Sequence, residues 1–173
     1  SRSDQLFVPL LKGDHLEFAI EKATELGAAQ INLYQADRSV VRLSQEQAGK
    51  KLDRWRRIAE SAAKQSSRLQ LPELSYSESL LLALGSRCEG FYGALTPSAR
   101  ALRDYAPPSH SAALVVGPEG DFSPQEEQLF VERRFNPVSL GSLVLRAETA
   151  AMVMLAAAQA VWGSPSRDEM PGL

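Results

Sequence analysis

Two glycine-broken runs constrain this chain more than any other feature. The first is Leu114-Val115-Val116-Gly117-Pro118-Glu119-Gly120-Asp121-Phe122-Ser123, continuing to Glu126; the second runs from Leu140 through Gly141, Ser142, Leu143, Val144, Leu145 and Arg146 to Ala150. Each places an apolar, strand-length segment directly before flexible backbone and then a helix start. In an open α/β sheet that is where ligand sites are built, in the crevice beyond the carboxyl ends of the strands. Only one short helix and one short strand separate the two runs, so they are expected to form two walls of one pocket.

The flanking pattern agrees with an α/β sheet. Leu6–Leu10, Ile31–Tyr34, Gly90–Leu95 and Ala112–Val116 read as strands. Between them, Leu16, Ile20, Ala23 and Leu26 repeat at helical spacing, with Asp14 expected as N-cap and Gly27 as the stop. Ser44 and Gln47 form a capping-box pattern that opens a long helix toward about Arg68, with Leu52, Trp55, Ile58, Ala59 and Ala62 as its apolar stripe. A short helix is expected over Ser77–Leu84 and a last one from near Glu148 to Val161. Strands alternating with helices favour a parallel sheet. Residues 1–163 are expected to form one domain, and 164–173, rich in Pro, Gly and Ser, a frayed tail.

Composition narrows the function classes. The chain has 173 residues, 44% of them hydrophobic, enough for a single core. No apolar stretch approaches membrane-spanning length, and no leader pattern opens the sequence. One cysteine, Cys88, rules out an intrachain disulfide and makes a reducing cytoplasm the expected compartment. A net charge of −2 conceals a marked asymmetry. Arg38–Arg68 holds nine basic residues against three acids, a charge of +6, which leaves −8 on the remainder. Such a patch can meet phosphates even on an acidic protein, or it can be a solvated helix face. His15 and His110 lack metal-ligand spacing, read as surface or turn residues, and imply no metal.

Within the loops, Pro118 presets a turn, while Gly117 and Gly120 permit close backbone approach or positive φ. Ser123-Pro124-Gln125-Glu126 carries a serine cap, proline at the first helical position and a returning glutamate. Arg146, if buried, needs a partner, either Glu148, another acid or a substrate.

Together these segments resemble the cofactor-loop motifs of the ribosomal RNA small-subunit methyltransferase E family, part of the SPOUT superfamily of knotted methyltransferases. The resemblance extends upstream through Glu21–Gly27, Arg38-Ser39, Arg54-Trp55, Ala63–Arg68 and Leu71-Pro72. Three positions depart from the family pattern. Lys64 stands where an acid is usual, Ala147 where threonine is common, and Asp121 where glycine is frequent. Family members also begin with a small PUA-like barrel, and this sequence starts about where that barrel should end, as either an isolated catalytic domain or a truncated form would.

The resemblance implies a parallel α/β sheet with helices on both faces and a C-terminal trefoil knot, an exception to the usual rule against knots. It implies S-adenosylmethionine as cofactor, held by Leu95, Thr96 and Pro97, by Gly117, Pro118, Glu119 and Gly120, and by Leu140, Gly141, Ser142, Leu143 and Leu145. The implied reaction is methylation of N3 of a uridine in 16S rRNA. Arg146 would stabilise charge on the uracil oxygens, and Glu148 would orient Arg146 or receive the proton. Arg38, Arg54 and Arg68 would contact RNA, free or in the small ribosomal subunit. The resemblance also implies a homodimer, for which the stripe Met152, Leu155, Ala156 and Gln159 offers an interface or, equally, a part of the intramolecular core. The alternatives are a noncatalytic RNA-binding knotted domain and a SPOUT methyltransferase with another RNA target. A nucleotide-binding or hydrolase fold is disfavoured, because neither a lysine P-loop nor a Gly-x-Ser-x-Gly turn is present.

Overall fold

A computed structural model describes residues 2–67 and 70–164. Its framework is one six-stranded, wholly parallel sheet in the order β3-β2-β1-β5-β4-β6. In chain order the strands are β1 (Ser3–Pro9), β2 (Gln30–Tyr34), β3 (Glu73–Ser77), β4 (Phe91–Gly93), β5 (Ser111–Val115) and β6 (Asn136–Val138). The helices are α1 (Gly13–Glu25), α2 (Gln45–Gln65), α3 (Leu80–Leu84), α4 (Pro124–Glu132) and α5 (Ala147–Trp162).

Strand alternation sorts the core into two layers. Leu6 and Val8 of β1, Ile31 and Leu33 of β2 and Leu114 of β5 join Ile20, Trp55 and Met154 on the face covered by α1, α2 and α5. Phe7, Tyr34, Ala113 and Val115 face the other way, onto Leu80, Leu84, Leu129 and Phe130 of α3 and α4. The expected α/β class, with helices on both faces, is therefore realised. Strand order reverses direction between β1 and β5, and the second half skips: β5 leads through α4 to β6, which pairs with β4 at the edge. From that edge the chain returns to lay α5 against β1 and α1.

Several local expectations change. Glu73–Ser77 is a strand, and the short helix begins only at Leu80, where the Ser79 side chain accepts from the Leu82 amide at 3.1 Å. Its edge position explains the misreading. Only Tyr76 of β3 is buried, so the apolar alternation that advertises a strand is thin. Lys12, not Asp14, occupies the N-cap position of α1, without a side-chain cap; Asp14 sits inside the first turn, where its charge suits the helix's positive end. The capping boxes of Ser44 with Gln47 and of Ser123 with Glu126 are both formed. α2 ends at Gln65, and Gly27 adopts φ 84° just beyond α1. The proposed tail, apart from Ser164, lies outside the described residues, as does Arg68. No described helix is long and apolar enough to cross a membrane.

An ion pair with no sequence signal locks the first strand to the last helix. Arg2 donates from Nε to Asp4 Oδ1 at 2.7 Å, and from Nη1 and Nη2 to the carbonyls of Trp162 and Gly163 at 3.1 and 2.7 Å. The guanidinium thus satisfies carbonyls at the end of α5 that have no helical partner. Asp4 is fully buried and Arg2 nearly so. Asp4→Ala should strand a buried cation and lower unfolding free energy by about 3–5 kcal/mol, measured by urea titration.

Candidate functional site

The carboxyl ends of β4, β5 and β6 lie side by side, and the loops leaving them enclose a cleft of about 470 Å³. Gly93, Ala94 and Leu95 form one wall. Val116 through Asp121 form the second, and Leu140, Leu143, Val144, Leu145 and Arg146 the third, with Ala150 of α5 behind them. The volume falls within the range of small-molecule sites, and the lining is largely apolar with backbone polar groups interspersed. Among the described residues, the amides of Glu119, Leu143 and Leu145 donate no backbone hydrogen bond. They are open to a ligand's acceptors.

The two loop glycines serve close approach rather than positive φ. A Cβ on Gly120 would lie 2.9 Å from Arg38 Cβ, and one on Gly117 would lie 3.1 Å from the Phe122 ring. The left-handed residue of this turn is Asp121, at φ 64°. Its side chain makes the conformation tolerable, because Oδ1 accepts from the Phe122 amide at 2.8 Å. The departure from the family's glycine thus falls where the backbone most favours glycine.

Polar contacts behind the second wall fix its shape. The Tyr34 hydroxyl donates to the Val116 carbonyl at 2.6 Å, where β5 passes into the loop. Burial, aided by the charges of Glu126, Asp121 and Asp37, pushes that hydroxyl's pKa well above its usual value. Ser123 donates from Oγ to Asp37, and Glu126 accepts from the amides of Ser123 and Asp37 at 2.9 and 3.3 Å. Desolvation raises the Glu126 pKa against those hydrogen bonds. Arg38, on the neighbouring loop, donates to the Gly120 carbonyl at 3.1 Å.

The expected site residues divide. Leu95, Gly117, Pro118, Glu119, Gly120, Leu140, Leu143, Leu145 and Arg146 line the cleft, whereas Thr96, Pro97, Gly141 and Ser142 belong to its loops without lining it. Gly93, Ala94, Val116, Asp121, Val144 and Ala150 line it as well, though none was among the expected cofactor contacts. Strand-end position was the only signal that could have found Gly93 and Val116.

Arg146 is exposed and makes no ion pair among the described residues. The requirement for a partner, which rested on burial, therefore falls away. Glu148 instead meets His15, whose Nδ1 lies 2.9 Å from Oε1. Arg54 is paired with Glu17 at 2.6 Å. In the α5 stripe, Leu155 is fully buried and the half-buried Gln159 donates to the Leu26 carbonyl, so both are engaged within the chain itself. The outward face carries Met152, Val153, Ala156 and Ala160. Among the described residues no cluster of three or more His, Cys, Asp or Glu is placed to hold a metal ion.

A wholly parallel sheet whose three adjacent strand ends enclose an apolar cleft defines a small-molecule-binding α/β domain. Residues 3–159 match the RNA methyltransferase domain model, and the chain belongs to that family. It is 35% identical over 158 residues to ribosomal RNA small subunit methyltransferase E of Bacillus subtilis, covering 86% of this chain and 62% of the relative. Identity to the Mycobacterium bovis protein of the same name is 37% over 155 residues, covering 86% and 59%. The chain thus spans about three-fifths of the length of these curated relatives. The structure of ribosomal RNA small subunit methyltransferase E from Neisseria gonorrhoeae, bound to S-adenosyl methionine, superposes with a TM-score of 0.81 at 34% identity, covering 92% of this chain and 67% of that one. An Aquifex aeolicus TrmH/SpoU tRNA modifying enzyme shares the fold alone, with a TM-score of 0.58 at 13% identity over 98% of this chain and 83% of that one.

Asp121→Ala keeps the positive φ but removes the side-chain acceptor. It should cost about 1–2 kcal/mol in denaturant unfolding, with Asp121→Gly restoring most of the loss.

Proposed function

We propose that this chain transfers a methyl group from S-adenosylmethionine to N3 of a uridine in 16S ribosomal RNA. The observation that carries the reading is the cleft at three adjacent strand ends with Arg146 on its wall, in a chain similar along most of its length to proteins named for rRNA methylation. The lining suits the donor. Leu95, Leu140, Leu143 and Leu145 offer apolar cover for an adenine ring, and the open amides of Glu119, Leu143 and Leu145 offer donors to its edge. When bound, S-adenosylmethionine supplies an electrophilic methyl group on a sulfonium.

The protein's share of such a displacement is placement and electrostatics. Uridine N3 becomes a nucleophile only when its proton leaves, and negative charge then spreads onto the flanking carbonyl oxygens. Arg146 remains charged and cannot act as base, so its role is to hold that charge. Exposure suits it to meet a base delivered from outside the protein. N3 must leave its helical stack to reach the cleft. Arg38, tied to Gly120 beside the cleft, and Arg54, held by Glu17, are offered to RNA from the basic segment. Lys51, Arg57 and Lys64 of α2 are free of ion pairs among the described residues and add phosphate attraction.

The same reading takes the return from edge strand β6 to α5 as the threaded segment of a knot. It takes the outward face of α5 as a homodimer contact, residues 1–163 as the catalytic domain, and the cytoplasmic small subunit or its rRNA as the partner. Mass-spectrometric mapping of rRNA nucleosides, with and without the protein, tests the reaction. 3-Methyluridine should disappear without it; a different lost nucleoside would name another RNA target. Arg146→Ala should lower kcat by roughly 100-fold or more while calorimetric binding of S-adenosylmethionine persists. Unchanged turnover would remove Arg146 from the reaction.

A further inference from the structure

The methyl-transfer reading leaves the N3 proton without an acceptor, and the contact between the first turns of α1 and α5 supplies one. His15 Nδ1 lies 2.9 Å from Glu148 Oε1. The Glu148 side chain is 10% exposed and that of His15 46%. An ionised carboxylate only accepts hydrogen bonds, so this contact puts the ring proton of neutral His15 on Nδ1 and leaves Nε2 with a free lone pair. A buried carboxylate that fixes the tautomer of a half-exposed imidazole is the arrangement by which hydrolases prepare a general base. Glu148 stands two residues along the chain from Arg146, which lines the cleft.

We infer that His15 is the general base of this protein and Glu148 its positioning residue. The inference rests on the methyl-transfer reading. Nε2 takes the uridine N3 proton as the N3 electron pair forms the new bond to the methyl carbon. The carbon–sulfur bond breaks with its electrons kept by sulfur, which becomes a neutral thioether. The half-exposed ring then returns its proton to water. Arg146 and His15 divide the work, one holding charge on the uracil oxygens and the other removing the proton. Glu148 of α5 is the charged group in contact with the ring; the neighbouring charges on its own helix and on α2 packed against it are Asp14, Glu17 and Arg54, the last two paired with each other.

Kinetics and NMR on the full chain test this. His15→Ala should lower kcat by about 100-fold or more, leave KM for RNA and calorimetric cofactor affinity unchanged, and regain turnover on addition of imidazole. The wild-type kcat should fall as acid protonates an imidazole, and His15→Gln should lose that inflection. Without any substrate, ring nitrogen-15 shifts should show the Nδ1–H tautomer in the wild type and a mixture in Glu148→Gln. An Nε2–H ring, or an active wild type whose turnover and pH profile survive His15→Ala, would overturn the assignment and leave the methyl-transfer reading standing. A wild type that binds cofactor and RNA but modifies no uridine would overturn both.

Discussion

The pairing of β6 with β4, rather than with its predecessor β5, is the constraint on which the site depends. Phe91 and Tyr92 pair with β5 on one side, and Phe91 through Gly93 pair with β6 on the other. The edge position of β6 forces the chain past β4 after α4 and back again before α5. Three strand ends then lie consecutively, and their loops converge because neighbouring strands sit under 5 Å apart, at roughly 4.8 Å. Had β6 joined the opposite edge beside β3, Leu140–Arg146 would stand four strands from Gly117. The cleft is a consequence of strand order, and its lining residues need only be small or apolar where the loops meet.

Much of this was legible in the sequence because the relevant signals are local. Capping boxes at Ser44 and Ser123, the glycine stop after α1 and the apolar runs of the central strands each depend on a few adjacent residues. Legibility failed where tertiary partners decide. β3 is defined by its ladder to β2, not by its own burial. Arg2 matters through carbonyls at the far end of the chain. Glu148 was read against Arg146, its neighbour in sequence, whereas α1 delivers His15 to it from 133 residues away. At the loops, the glycines announced the bend. Which backbone position carries positive φ was not legible: in the first loop Gly117 and Gly120 serve close approach to Phe122 and Arg38 while Asp121 is left-handed, and in the second Gly141 itself takes φ 111°.

Charge follows the same division between local and global. The basic segment is partly compensated by its own acids and by α1: Lys50 lies 3.9 Å from Glu46, Arg56 3.8 Å from Asp53, and Arg54 2.6 Å from Glu17. Pairs as exposed as the first two contribute little to stability. A phosphate that displaces the carboxylate therefore costs the fold almost nothing. An acidic protein can in this way keep a cationic face in reserve without carrying a large net charge.

The lips of the cleft complete the physical argument. Leu95, Leu143 and Val144 are 61%, 73% and 84% exposed, three large apolar side chains held at one opening. Surface residues of this kind, scattered singly, need no explanation, but several converging on one concavity mark a surface built to be covered. None of the three is buried against the protein itself. Gly120 is pressed onto Arg38, and the β5 end is tied to Tyr34 through the Val116 carbonyl, so the second wall cannot close inward. Leu140–Leu145 is anchored at both ends, by β6 and by α5. The backbone thus holds apolar area and open amides apart at a fixed spacing, and a flat heteroaromatic ring with polar edges is the kind of molecule that satisfies both at once.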